Sequence, residues 1–182
     1  HPQRHLVLQE ACHGGPCYPN SHACMSHLLL EDIARMKTRW PERLHFILSN
    51  HELAELIDLA IAKGSRMLNL QFRSGLEHQY GDAADAVHEA AMEFIGTCPL
   101  ALRTRNRVWI SHSVPANVAE DGYDASIFAR DLRPSDLARN GDAFRLVWGR
   151  DFRHENAIAF GKLVDATIMI HGHEPCKTGY MT

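Results

Sequence analysis

Short apolar runs alternate with amphipathic helical patterns along this chain of 182 residues. Candidate strands, recognised by β-branched and apolar residues, cover residues 5–9, 44–48, 108–110, 144–147 and 167–170. Candidate helices, recognised by apolar residues at steps of three and four, cover residues 25–38, 53–62, 66–79, 83–95 and 154–164. This alternation is typical of a layered α/β domain. It predicts a single α/β domain over residues 1–182, with a helical insertion at about residues 53–98.

Composition and charge narrow the classes of protein that fit. Hydrophobic residues make up 45% and charged residues 23% of the chain, and the mean hydropathy of −0.27 is in the range of soluble globular proteins. The longest uncharged stretch, residues 11–30, contains Gly, Pro, Asn, Ser and three His, which argues against a membrane span. Residues 1–10 mix polar and apolar residues and predict no signal peptide. A net charge of −3 predicts neither a nucleic-acid nor a membrane partner.

Histidine and cysteine counts bear on metals and on redox compartment. The 13 histidines raise the expectation of a metal site, because neutral imidazole is the commonest metal ligand. The five cysteines are an odd number without a Cys-x-x-Cys pair, which argues against a disulfide framework and favours a reduced, cytoplasmic setting. Three histidines lie in or beside a glycine-containing loop and are predicted to face solvent: His13, His22 and His27.

Polar residues follow three of the candidate strands. Asn50 and His51 come after residues 44–48, His112 after 108–110, and His173 after 167–170. Because ligands of layered α/β proteins gather beyond the carboxyl ends of strands, we expect Asn50, His112 and His173 to converge. An amide oxygen with two imidazoles favours Mn, Fe or Zn over Mg or Ca.

These residues stand in the order Ser49-Asn50-His51-Glu52, then Ser111-His112-Ser113, then Gly172-His173. In this order they resemble the motifs of the calcineurin-like metallophosphoesterase superfamily, which includes the phosphoprotein phosphatases. The resemblance spans roughly residues 5–180. It implies a metallophosphatase-type sandwich of two mixed β-sheets flanked by helices, incomplete at both ends of this sequence.

The resemblance also implies a chemistry, which is hydrolysis of a phosphomonoester by a bridging hydroxide on two divalent metals (Mn, Fe or Zn). Asn50, His112 and His173 would ligate the second metal. His51 would donate a proton to the leaving group, with an acidic neighbour such as Glu52 orienting it. Arg150, in a Trp-Gly-Arg segment similar to one in phosphoprotein phosphatases, would bind a phosphate oxygen.

Departures from the family pattern support a second reading. No Asp-x-His precedes residue 50, and Glu10 stands at the place of the bridging aspartate, with His13 at the second acidic position. We therefore predict Glu10 as the ligand on the first-metal side, with the missing first strand upstream of residue 1. The alternative is a catalytically weakened member of the fold that acts as a binding or regulatory module. A phosphoprotein, a nucleotide and a small phosphomonoester all remain open as substrates.

Simpler interpretations of the same residues also stand. Asn50-His51-Glu52 fits a polar helix N-terminus with Asn50 at the N-cap. His112 fits an ordinary strand-end histidine, and His173 fits a turn residue after a glycine. His171, two residues before His173, is interpreted as structural or as a supporting residue rather than a ligand.

Overall fold

The computed structural model describes residues 4–180, and helices alternate with short strands through them. This confirms the predicted α/β class. The chain divides into two compact units, His1–Pro99 and Leu100–Thr182. The single domain predicted over residues 1–182 stays a prediction.

The first unit is built around a pair of parallel strands, β1 (Leu6–Leu8) and β2 (Leu44–Phe46). The helix α1 (Ser26–Arg39) connects them, as parallel neighbours require. Helices α2 (Asn50–Leu56), α3 (Leu68–Tyr80) and α4 (Ala84–Gly96) follow, and α3 packs on both α1 and α4. The core beneath them includes Ile33, Leu53 and Phe72.

The bounds of α1, α3 and α4 confirm the periodic patterns at 25–38, 66–79 and 83–95 to within two residues. The prediction of a helix over 53–62 is wrong in its bounds. Ser49 caps α2, its Oγ accepting the N–H of His51 at 3.2 Å, so the helix starts three residues earlier. It ends at Leu56, and a small antiparallel hairpin of β3 (Ala62–Lys63) and β4 (Arg66–Met67) follows, so the predicted insertion is not purely helical.

The second unit contains a mixed three-stranded sheet. Its central strand β6 (Val108–Ser111) pairs antiparallel with β5 (Ala101–Arg103) and parallel with β7 (Ile168–His171). The helices around this sheet are α5 (Val118–Asp121), α6 (Pro134–Leu137), α7 (Asp142–Trp148) and α8 (His154–Leu163). The helix predicted over 154–164 is confirmed as α8.

The strand predicted over 144–147 is wrong, because these residues lie in α7. Ala143, Leu146 and Val147 are fully buried, at the three- and four-residue spacing of one helix face. A short apolar run does not distinguish a strand from a buried helix. Within residues 4–180, no helix is both long and apolar enough to cross a bilayer.

Gly75 sits where α3 crosses the segment before α1. A Cβ at this position would lie 1.9 Å from the carbonyl oxygen of Cys24. We expect Gly75→Ala to lower the free energy of unfolding by about 3 kcal/mol, because the contacted atom belongs to the backbone and has little freedom to move. Urea denaturation measures this loss.

Gly96→Ala is the matched control, since it adds the same methyl group at the end of α4, where nothing lies within 4 Å. Its expected effect is between zero and a gain of about 1 kcal/mol. Equal stability of the two variants would contradict the tight crossing at Gly75.

Candidate functional site

The turn between β2 and α2 presents the motif Ser49-Asn50-His51-Glu52. Ser49 has an extended backbone and the next residue begins the helix, so the motif occupies the first turn of α2. Asn50 is 3% exposed, and Glu52 is fully buried. The helix N-terminus of the simpler interpretation is therefore confirmed, but the cap is Ser49 and Asn50 is the first helical residue, so the prediction of Asn50 at the cap is wrong. The ligand role of Asn50 stays a prediction.

Glu52 links the segment after β1 to α2 through hydrogen bonds. Its Oε1 accepts the backbone N–H of Ala11 at 2.8 Å and that of Cys12 at 2.7 Å, and the Ser49 hydroxyl donates to its Oε2. Buried backbone N–H groups need such partners outside regular secondary structure. The contacts of Glu52 thus hold residues 10–13 in place, which differs from the orienting role toward His51 considered from the sequence.

Glu10 and His13 approach the ring of His51. The Nδ1 atoms of His13 and His51 are 3.0 Å apart, and His51 Nε2 is 3.6 Å from Glu10 Oε1. Both Glu10 (φ 58°) and His13 (φ 69°) have left-handed backbones. These left-handed conformations turn the chain so that Glu10 and His13, three positions apart, both reach the His51 imidazole.

His13 also contacts Glu55, a buried carboxylate on α2. Its Nε2 is 3.0 Å from Glu55 Oε2. Three further groups donate to Glu55 at 2.7–2.9 Å: Asn69 Nδ2, Arg73 Nε and His88 Nε2. Burial by itself would raise the pKa of Glu55, but the hydrogen bonds from His13, Arg73 and His88 lower it to about 2. Glu55 is therefore a carboxylate at neutral pH.

The carboxylate of Glu55 assigns one hydrogen along this chain of contacts. A carboxylate only accepts, so His13 Nε2 carries a hydrogen. The Nδ1 atoms of His13 and His51 share one hydrogen bond. The other ring nitrogen of His51, Nε2, lies beside Glu10.

His112 and His173 meet in the second unit. His112 follows β6 and is fully buried. Its Nε2 is 2.9 Å from His173 Nδ1, and the rings stand nearly perpendicular, at 74°. Ser111 pairs with His171 in the parallel register of β6 and β7, so both histidines follow neighbouring strand ends. The expected proximity of His112 and His173 is present.

His173 is suited to ligation in its charge state. Burial, with a smaller contribution from Arg150, lowers its pKa to about 4, so the ring is neutral at pH 7. Neutral imidazole is the form that binds metals. Its Nε2 is buried and has no hydrogen-bond partner among residues 4–180.

Two further residues named from the sequence, Arg150 and His171, contact residues other than His112. The guanidinium of Arg150 is half exposed and bonds to the Glu174 carboxylate. Its phosphate-binding role stays a prediction. His171 stacks on Phe152, with ring centroids 4.5 Å apart and planes at 3°. The partner of His112 is therefore His173 and not His171, as the motif order implied.

The donor set fits part of a metal site. Two imidazole nitrogens that bind one ion at about 2.0–2.2 Å lie about 3–3.5 Å apart, close to the 2.9 Å between His112 and His173. Within residues 4–180, no three His, Cys, Asp or Glu side chains are grouped so that they could hold a metal ion.

Sequence reasoning missed the contacts of two histidines. His13 is 7% and His27 is 4% exposed, so the prediction that they face solvent is wrong, whereas His22 is exposed as predicted. Each buried ring has a hydrogen-bond partner: Glu55, 42 residues away, for His13, and Tyr18, nine residues away, for His27. One feature of the sequence could have indicated a contact for His13, because this residue stands at the second acidic position of the family motif.

No protein-family model matches this chain, and no curated protein matches it. The resemblance to metallophosphoesterases rests on the motifs in the sequence.

Proposed function

We propose that this protein is a metal-dependent phosphoesterase that hydrolyses a phosphomonoester. The observation that carries the proposal is the pair of imidazole nitrogens, His112 Nε2 and His173 Nδ1, which lie 2.9 Å apart after neighbouring strands. The proposed architecture is the metallophosphatase-type sandwich of two mixed sheets, and the proposed location is the cytoplasm.

His112 and His173 are the proposed ligands of one divalent metal, and Mn, Fe or Zn suits such nitrogen donors. The ligand roles of Asn50 and Glu10 stay predictions from the motif order. When bound, these metals supply a hydroxide nucleophile and neutralise charge on the phosphoryl oxygens. Arg150 is proposed to bind a phosphate oxygen, which requires its guanidinium to exchange or share its contact with Glu174.

His51 is the proposed proton donor to the leaving-group oxygen. Its Nδ1 is committed to His13, which fixes the orientation of the ring and leaves Nε2 as the transferring atom. Glu10 Oε1 lies 3.6 Å from that nitrogen. Glu55 holds His13 in the tautomer that this arrangement needs.

A second candidate is a member of the same fold that binds one metal or a partner without hydrolysis. It is favoured by the finding that no three His, Cys, Asp or Glu side chains are grouped for a metal within the described part of the chain. The two candidate functions share a fold and differ in whether the protein hydrolyses a phosphate ester. A hydrolysis assay combined with metal analysis therefore distinguishes them.

We expect the full chain with Mn²⁺ to hydrolyse p-nitrophenyl phosphate, to lose this activity in EDTA and to recover it with Mn²⁺. His112→Ala is expected to abolish it, because the pair of imidazoles is broken. His171→Ala is the control and is expected to retain it, since that ring stacks on Phe152 instead. Bound metal without turnover in Mn²⁺, Zn²⁺ or Fe²⁺ would instead establish the non-hydrolytic candidate.

A further inference from the structure

Cys17 and Cys24 lie directly opposite each other in the segment before α1. The chain turns back on itself there, and the two cysteines form an isolated antiparallel bridge. The backbone hydrogen bonds of this bridge come from the flanking residues, at 3.0 Å and 2.8 Å: Tyr18 N–H to Ala23 O, and Met25 N–H to Pro16 O. Cys17 and Cys24 are therefore a non-hydrogen-bonded antiparallel pair.

A pair of this type brings its two side chains close together. The Cα atoms of such a pair lie about 4.5 Å apart, and both side chains project from the same face. A disulfide joins residues whose Cα atoms are about 4.4–6.8 Å apart. The backbones of Cys17 and Cys24 thus have the spacing of a disulfide without a rearrangement.

Contacts with α3 hold both sides of this turn. The Cys24 N–H donates to Gln71 O at 2.7 Å, and a Cβ on Gly75 would lie 1.9 Å from the Cys24 carbonyl oxygen, so this residue packs closely on the helix. On the other side of the pair, the Tyr18 hydroxyl donates to Gln79 Oε1 at 2.9 Å. Anchoring to the same helix keeps the two cysteines aligned.

The two sulfur atoms have only weak contacts to give up. Both residues are free thiols. Cys17 Sγ donates to His22 O at 3.7 Å, and Cys24 Sγ is 3.0 Å from Ser26 Oγ. Because a thiol is a weak donor and a weak acceptor, rotation about the Cα–Cβ bonds can exchange these contacts for a bond between the sulfurs.

Exposure distinguishes these thiols from the other cysteines of the first unit. Cys17 is partly exposed, so a dissolved reagent can reach it, whereas Cys24 is 3% exposed. Burial raises the pKa of Cys12 well above its usual range and that of Cys98 to about 12. Since the thiolate is the nucleophile in exchange, Cys12 and Cys98 are poor partners.

We propose that Cys17 and Cys24 form a reversible disulfide by exchange with a low-molecular-weight disulfide such as glutathione disulfide. The Cys17 thiolate attacks one sulfur of glutathione disulfide, breaks its S–S bond and releases one glutathione thiolate. The Cys24 thiolate then attacks Cys17 Sγ in the mixed disulfide and releases the second glutathione thiolate. The protein loses two electrons, glutathione disulfide gains them, and the two thiol protons pass to the released thiolates.

This bond differs from a structural disulfide framework. In a reducing compartment a single bond of this kind forms transiently and responds to the ratio of thiol to disulfide in solution. It lies outside the proposed phosphoesterase chemistry and does not depend on it.

The test counts free thiols by intact mass. The full chain is incubated with excess glutathione disulfide, denatured and alkylated, since an internal disulfide removes two alkylation sites without added mass, whereas a mixed disulfide removes one and adds a glutathione. We expect most molecules to lose two of the five alkylation sites in this way, and to regain them after dithiothreitol. Five free thiols, or glutathione adducts without an internal bond, would overturn the proposal.

Variants assign the bond to this pair. Cys17→Ser is expected to abolish it, and Cys24→Ala is expected to stop at the mixed disulfide on Cys17. Cys176→Ser is the matched control, because it removes a partly exposed thiol outside the pair, and it is expected to form the bond as before. An internal disulfide in folded Cys17→Ser would refute the assignment. Phosphatase activity is not part of this readout, so failure here leaves the proposed function standing.

Discussion

Replacing His51 with alanine is expected to lower turnover of an aryl phosphate by a factor on the order of 10² to 10⁴, which is the range for loss of a general acid. The bound metal is expected to remain, because His51 is a proposed proton donor and not a ligand. His112→Ala should show the opposite order of effects: its metal content falls, and activity falls as a result. Metal analysis and steady-state kinetics on the same samples distinguish the two.

His22→Ala controls for a general effect of removing a histidine, because this side chain is exposed. It is expected to keep both metal and turnover. A His51→Ala variant that loses metal, beside a His112→Ala variant that keeps it, would reverse the assigned roles of the two histidines.

Glu52→Ala is expected to produce the largest loss of stability, about 4 kcal/mol in the free energy of unfolding. The substitution leaves the buried N–H groups of Ala11 and Cys12 without their acceptor, at about 1–3 kcal/mol each, and removes the partner of the Ser49 hydroxyl. Urea denaturation gives the value.

Two further variants separate the causes of this loss. Glu89→Ala removes an exposed carboxylate on α4 and is expected to change stability by less than about 0.5 kcal/mol. Glu52→Gln keeps an acceptor oxygen and the side-chain volume, so it should lose less than half as much as Glu52→Ala. If Glu52→Ala were as stable as Glu89→Ala, residues 10–13 would not depend on this carboxylate.

The parts of the fold that could be predicted from the sequence are those set by local periodicity. Helix α1 is an example, since its apolar positions repeat over four turns and its observed range, Ser26–Arg39, lies within one residue of the predicted range. The segment 144–147 is too short to show a period, and the buried face of α7 became visible only in its tertiary context.

The candidate site also has one part that could be predicted from the sequence and one part that could not. The meeting of His112 and His173 could be predicted because each residue follows a strand, and β6 and β7 are parallel neighbours. The contacts of His13 could not be. They depend on a left-handed backbone at His13 and on a carboxylate, Glu55, that is 42 residues away in sequence.

The left-handed backbone of Glu10 has a consequence for how this position tolerates variation. Glycine, asparagine, aspartate and histidine adopt this conformation more readily than glutamate, so a library of variants at position 10 sorted for folding alone would enrich those residues. Sorting for catalysis would instead retain the carboxylate that lies beside His51. A natural glutamate at position 10 is therefore better explained by what it contacts than by the turn it occupies.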